Sequence, residues 1–172
     1  MPRYVVDNML AKAIVALKTE FVKRNKGRSH IHEAIPTSPE SLSIDEHGLK
    51  MLHKFAESNS IYSSSYEMDI QGAVCNVYEG DVNDYWLDSI KHDTSYAPFY
   101  PIWILSAYAL ALESKNLGAK QVVDIGSGDG RIAYCAKVAG LQSYGIEIDE
   151  NLVGLENKIS LSTGVDFQPT AA

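Results

Sequence analysis

The stretch VVDIGSGDGRIAYCAKVAGLQSYGIEID, from Val122 to Asp149, holds the residue types that a nucleotide-binding crevice needs. Gly126, Gly128 and Gly130 let a ligand lie against bare backbone at the carboxyl end of a strand. Glu147 follows about twenty residues later, where an acid at the end of the next strand accepts hydrogen bonds from ribose hydroxyls. A dinucleotide site usually reads G-x-G-x-x-G, with the pyrophosphate at the helix N-terminus. Here the spacing is G-x-G-x-G, and two acids flank it. Asp124 precedes the first glycine, and Asp129 stands where a phosphate would come closest. Those carboxylates repel a pyrophosphate and suit a ligand that carries an ammonium and a sulfonium. Charge decides the case.

S-adenosylmethionine is such a ligand. The run Asp124-Ile125-Gly126-Ser127-Gly128-Asp129-Gly130 resembles motif I of the class I S-adenosylmethionine-dependent methyltransferases, whose pattern is D/E-x-G-x-G-x-G. Tyr144-Gly145-Ile146-Glu147-Ile148-Asp149 resembles the next motif of that family, and Gly164 to Gln168 matches its third strand weakly. The resemblance implies that Gly126, Ser127, Gly128 and Gly130 line the methionine and ribose moieties, with Asp124 near the amino group. It implies that Glu147 holds the ribose hydroxyls and that Ile148 packs on the adenine. Ahead of these motifs stands Tyr96-Ala97-Pro98-Phe99-Tyr100-Pro101. Together with D-I-G-S-G and Y-G-I-E it resembles the histone lysine methyltransferases of the telomeric-silencing type. That shorter resemblance implies a lid over the cofactor that includes Tyr96 and Phe99, and protein lysine as acceptor.

The motifs do not identify the methyl acceptor, which is open between protein, RNA and a small molecule. No catalytic residue can be named, because methyl transfer from a sulfonium is an in-line displacement that needs positioning more than acid–base help. Two rivals remain. One is an NAD(P)-dependent oxidoreductase, disfavoured by Asp124 and Asp129; the other is a non-catalytic interaction module that keeps the fold without the chemistry. His30 and His32 have metal-like spacing but no partner cluster, so they read as a solvated loop and no metal is expected. Cys135, Trp86 and Trp103 read as core and packing residues. Asp81, Asp84 and Asp88 read as a solvated helix start.

The elements that must position these groups follow from periodicity. Over 4–24, Val6, Leu10, Ala13, Ile14, Leu17 and Phe21 form one stripe of a helix that ends in Lys23 and Arg24. A polar stretch with Pro36 and Pro39 follows. Ser38 or Ser41 is expected to cap a second helix through Leu49, Leu52, His53 and Phe55. YEMDIQGAVCNVY, from Tyr66 to Tyr78, reads as short strands bent at Gly72, and 84–91 as a helical turn or two. Beyond residue 93 the pattern becomes apolar helix (102–114), strand (121–125), helix (130–138), strand (142–148), helix (151–159) and a stub of strand near 165–168. Alternation of this kind means a parallel, doubly wound sheet.

The expected fold is therefore α/β: an incomplete doubly wound parallel sheet, 94–172, after a mainly helical accessory region, 1–93. The resemblance implies a sheet in which the strand before the glycines is central, so the chain is expected to be a fragment with one open edge on that strand. The Tyr66–Tyr78 segment or a second copy of the chain is expected to cover that edge, with no methyl transfer by the isolated monomer. The 172 residues are 45% apolar and 22% charged, with a net charge of −7 and two cysteines. That composition excludes collagen-like, disordered and disulfide-scaffold proteins, and the acidic balance disfavours nucleic acid as the dominant partner. No apolar run approaches the roughly 20 residues of a membrane helix, and a cytoplasmic location follows as the expectation.

Overall fold

The computed structural model describes residues 9–25, 30–81 and 101–171. Helix α1, Met9–Arg24, buries the expected stripe of Ile14, Leu17 and Phe21 and carries Lys23 and Arg24 in its last turn. The chain then enters strand β1, His30–Pro36, where a polar stretch was expected. Helix α2, Glu46–Ser58, buries Leu49, Leu52 and Phe55 against the same core. Strands β2, Ser64–Ile70, and β3, Ala73–Asp81, form a hairpin. Gln71 and Gly72, both at positive φ, make its two-residue turn.

These strands form an antiparallel sheet of order β1-β3-β2, so the described residues up to Asp81 hold a three-stranded sheet as well as two helices. The mainly helical reading is corrected here. In β1 the polar His32 and Glu33 sit among Ile31, Ala34 and Ile35, and their partners lie far along the chain. Nε2 of His32 is 2.9 Å from Oε2 of Glu79 across the ladder, so His32 belongs to a paired strand and not to a solvated loop. A second correction concerns the cap of α2. Pro39–Ser41 is a short 3-10 turn, and Asp45 accepts the hydrogen bond from the backbone N–H of Gly48 at 2.7 Å.

The second half alternates as expected. Helix α3 is Ile104–Asn116, strand β4 is Gln121–Ile125, and helix α4 is Arg131–Val138. Strand β5 is Gln142–Glu147, helix α5 is Glu150–Thr163, and strand β6 is Pro169–Ala171, a few residues later than expected. β4, β5 and β6 are parallel neighbours in that order. The fold is thus mixed α/β, with one small antiparallel and one small parallel sheet. The Tyr66–Tyr78 segment pairs only within its own sheet, so it does not cover β4. Val123 and Ile125, on the face of β4 opposite Asp124, are 49% and 81% exposed. A parallel strand usually has both faces covered, and among the described residues β4 does not.

One hydrophobic cluster draws on both halves of the chain. It includes Phe21, Ile35, Leu52 and Phe55 from one side and Ile104, Tyr134, Ile159 and Phe167 from the other. Phe55, Tyr134 and Phe167 pack in a row, the first pair tilted and the second edge to face, with centroids 4.9 and 6.0 Å apart. Trp103 and Cys135 are buried in it, as expected. The boundary near residue 93, the turns at 84–91 with Trp86, and Tyr96 and Phe99 lie outside the described residues. No helix among the described residues is long and apolar enough to cross a membrane. The cap geometry gives a test. Asp45→Ala should lower stability by about 1–2 kcal/mol, the scale of a lost N-cap. Ser41→Ala should leave the urea midpoint unchanged, and equal midpoints for all three proteins would show that Asp45 does not cap.

Candidate functional site

β4 delivers the chain into the loop Gly126–Gly130, and α4 leaves it. Gly126, Gly128 and Gly130 have φ of +75°, +63° and +77°, backbone that favours glycine at all three positions of the motif. The backbone N–H groups of Gly126 and Ser127 both donate to the carbonyl of Ile146, at 2.8 and 3.1 Å, which ties the loop to β5. A Cβ on Gly130 would lie 2.5 Å from the Phe167 ring, so the loop backbone packs directly on the core there and leaves no room for a side chain. A Cβ on Gly126 would meet nothing within 4 Å; that glycine faces open space.

Glu147 ends β5 and is buried. One carboxylate oxygen accepts from the N–H of Gly128 at 2.7 Å, and the other from Ile148 and Asp149 at 2.8 and 3.1 Å. The acid that the sequence assigns to ribose therefore also clamps the glycine loop, using three of its roughly four lone-pair positions. Asp124 is half-buried and in register with Gly145, so the two share a face of the sheet. Burial pushes its pKa up, and the nearby carboxylates of Asp129 and Glu147 push it further. Ile148 is exposed beside Glu147, and Asp149 caps α5 through the N–H of Asn151. Ser127 is buried at the turn of the loop.

Asp129 does not face the crevice as a bare charge. It is fully buried, accepts from Nδ2 of Asn59 at 2.8 Å, and is gripped by two guanidinium nitrogens of Arg131. The expectation that Asp129 repels a phosphate is corrected by this pairing, which leaves Asp124 and Glu147 to carry the crevice's charge. Arg131, itself buried, reaches across to Glu33 of β1 at 2.5 Å and also donates to the carbonyl of Ile102 and to Tyr62. Glu33 completes the set by accepting from the N–H of Ile104, the first residue of α3, at 2.9 Å. Burial pushes the Glu33 carboxyl up, to about 7, against the opposing pull of Arg131. Asp129 and Arg131 are neighbours in the sequence, two residues apart, but nothing local marks Glu33 as their partner, 98 residues from Arg131.

A second group was also missed. Glu156, on α5, is fully buried, and neither of its oxygens has a hydrogen-bond partner; nor do the hydroxyls of Ser127 and Ser143. Burial pushes the Glu156 carboxyl up to about 7, the nearness of the Ser127 hydroxyl working the other way and Glu147, Asp129 and Asp124 adding to the rise. The helical spacing of Leu152, Leu155, Glu156 and Ile159 on α5 is the one signal that could have shown an acid on a buried face.

The structure thus gathers Asp124, Gly126, Ser127, Gly128, Gly130, Glu147 and Ile148 at the carboxyl ends of β4 and β5, while Tyr96 and Phe99 lie outside the described residues. Among the described residues no cluster of His, Cys, Asp and Glu could hold a metal ion. No model of a known protein family matches the chain, and no curated protein matches it either. The buried network makes its own prediction. Arg131→Met leaves Asp129 and Glu33 without their counter-charge and should lower stability by about 3–5 kcal/mol. Urea unfolding that gives the same free energy for wild type and R131M would remove the network from the account of the loop.

Proposed function

We propose that the chain binds S-adenosylmethionine at the carboxyl ends of β4 and β5 and serves methyl transfer. The observation that carries this reading is the G-x-G-x-G loop held open between two parallel strands, with Asp124 at the end of one and Glu147 at the end of the other. The succession β4-α4-β5-α5-β6, with its strands parallel and adjacent, is what the first half of a doubly wound sheet requires, and ligands of such sheets lie outside the carboxyl ends of the strands. The residues fit the group: Gly126 faces open space, Asp124 offers a half-buried carboxyl to an amino group, and exposed Ile148 offers an apolar surface to adenine. Glu147 keeps unused acceptor capacity for a ribose hydroxyl while holding Gly128 in position.

The cofactor would supply a methyl group on a positively charged sulfur. The chain's own share is binding and orientation: a rigid loop, an acidic wall, and an acceptor admitted from the open side. The acceptor class stays among protein, with lysine suggested by the residues around Tyr96 and Phe99, RNA and small molecules. The neutralised Asp129 favours one second reading, a nicotinamide dinucleotide in the same crevice, because one of the two charges that disfavour a pyrophosphate is balanced by Arg131. Asp124 and Glu147 keep the crevice acidic and the first reading ahead.

Calorimetry separates the two. S-adenosylmethionine should bind and NADH should not. Glu147→Gln should weaken S-adenosylmethionine by about 1–3 kcal/mol, the scale of a charge-assisted hydrogen bond. Tight NADH binding without S-adenosylmethionine binding would overturn the assignment.

A further inference from the structure

The crevice contains one carboxyl that the proposed function does not use. Glu156 reaches from α5 to the strand behind the glycine loop. A Cβ on Gly145 would lie 3.1 Å from its Oε1 and 3.1 Å from Oγ of Ser127. Gly145 is the register partner of Asp124, and Glu147 lies two residues along β5 on the same face. Glu156, Ser127, Asp124 and Glu147 therefore converge on one spot of the sheet. Glu156 is fully buried there with both oxygens unpartnered, beside two buried hydroxyls, Ser127 and Ser143, that are also unpartnered.

The groups around it offer no counter-charge. β5 contributes Glu147, β4 contributes Asp124, and the loop contributes Asp129, all acidic. Arg131, at the start of α4, is turned to Asp129 and Glu33. α2, which also packs on α5, buries only apolar residues and Gly48. The approach to β6 presents the ring of Phe167, and β6 itself, Pro-Thr-Ala, has nothing that titrates. On α5, Glu150 and Lys158 are exposed. A carboxylate buried without a partner is costly, and the group avoids that cost by holding a proton. Burial holds it there up to about pH 7.

We propose that Glu156 is a proton-linked gauge of ligand charge: it holds a proton in the empty crevice and releases it when a ligand of net positive charge settles there. The O–H bond of its carboxyl breaks, the proton passes to water and buffer, and no other bond changes. The positive ligand then stands against an extra negative charge, whereas a neutral analogue leaves Glu156 protonated and gains nothing. Resting on the reading of the crevice as an S-adenosylmethionine site, this makes Glu156 a specificity residue that favours the sulfonium over the neutral thioether left after methyl transfer.

The test is calorimetric titration of the full chain with S-adenosylmethionine and with S-adenosylhomocysteine at pH 5.5 and 7.5. Each is run in two buffers whose ionisation heats differ, phosphate and Tris at pH 7.5, acetate and MES at pH 5.5. The sulfonium should bind with proton release, and its affinity should rise with pH by about tenfold for each unit by which the bound ligand lowers the Glu156 pKa. The thioether should show neither effect. In Glu156→Gln, which copies the protonated carboxyl, the sulfonium should still bind, with the extra proton release and pH dependence gone; the ligand's own titration is common to both proteins. An infrared band of a protonated carboxyl, present in the empty wild type and lost on adding the sulfonium, gives the same answer without the variant. Sulfonium binding with equal heats in both buffers and no pH dependence overturns the gauge and leaves the site reading intact. Proton release that persists in E156Q does the same. Failure of both ligands to bind overturns the site reading, and the gauge with it.

Discussion

The guanidinium of Arg131 holds this molecule in register. It stands in the core between two carboxylates, Asp129 of the glycine loop and Glu33 of β1, and takes in Tyr62 and the carbonyl of Ile102 as well. A lone buried charge is prohibitive, and a buried pair is tolerable only when geometry and further hydrogen bonds satisfy both partners. Here Asn59 completes Asp129 and the N–H of Ile104 completes Glu33. The antiparallel sheet, the loop after α2, the start of α3 and the start of α4 must therefore all arrive together. The glycine loop is held from two sides: Asp129 links it through Arg131 to Glu33 of the other sheet, and Glu147 and the carbonyl of Ile146 tie it to β5.

That anchoring sets the electrostatics of the crevice. With Asp129 balanced by Arg131, the remaining negative charge lies at Asp124 and Glu147, and the buried carboxyl of Glu156 stands beside them at Gly145. Glu147 is tied down by three backbone N–H groups, Asp124 is half-exposed, and Glu156 is sealed in without a partner. The three acids thus differ in what they can do. One shapes the loop, one stands half-exposed, and burial favours a proton on the third. The opposite face of β4, with Val123 and Ile125 exposed, is apolar where the crevice face is charged.

Helix α1, the hairpin at Gly72 and the succession of elements from α3 to α5 were legible in the sequence. Each depends on local repeats: a helical stripe, a two-residue turn that needs positive φ, and glycines between an apolar strand and an apolar helix. β1 was illegible, because His32 and Glu33 look like surface residues until Glu79 and Arg131 are brought to them. The cap of α2 was misread for a different reason. Ser38, Ser41 and Asp45 are all good caps by type, and only the path of the 3-10 turn decides that Asp45 meets the open N–H of Gly48.

The candidate site divides in the same way. By itself the sequence determined that Asp124, Gly126, Gly128, Gly130 and Glu147 come together at the carboxyl ends of two strands, since they are set by their distance along one strand-loop-helix-strand unit. Tertiary structure alone decided their charges. Whether an acid is bare, balanced or protonated depends on what stands within a few ångströms of it: Asp129 is balanced by Arg131, two residues on, which the fold buries together with Asn59 and Glu33 from far along the chain, and Glu156 is buried by the packing of its helix on the sheet.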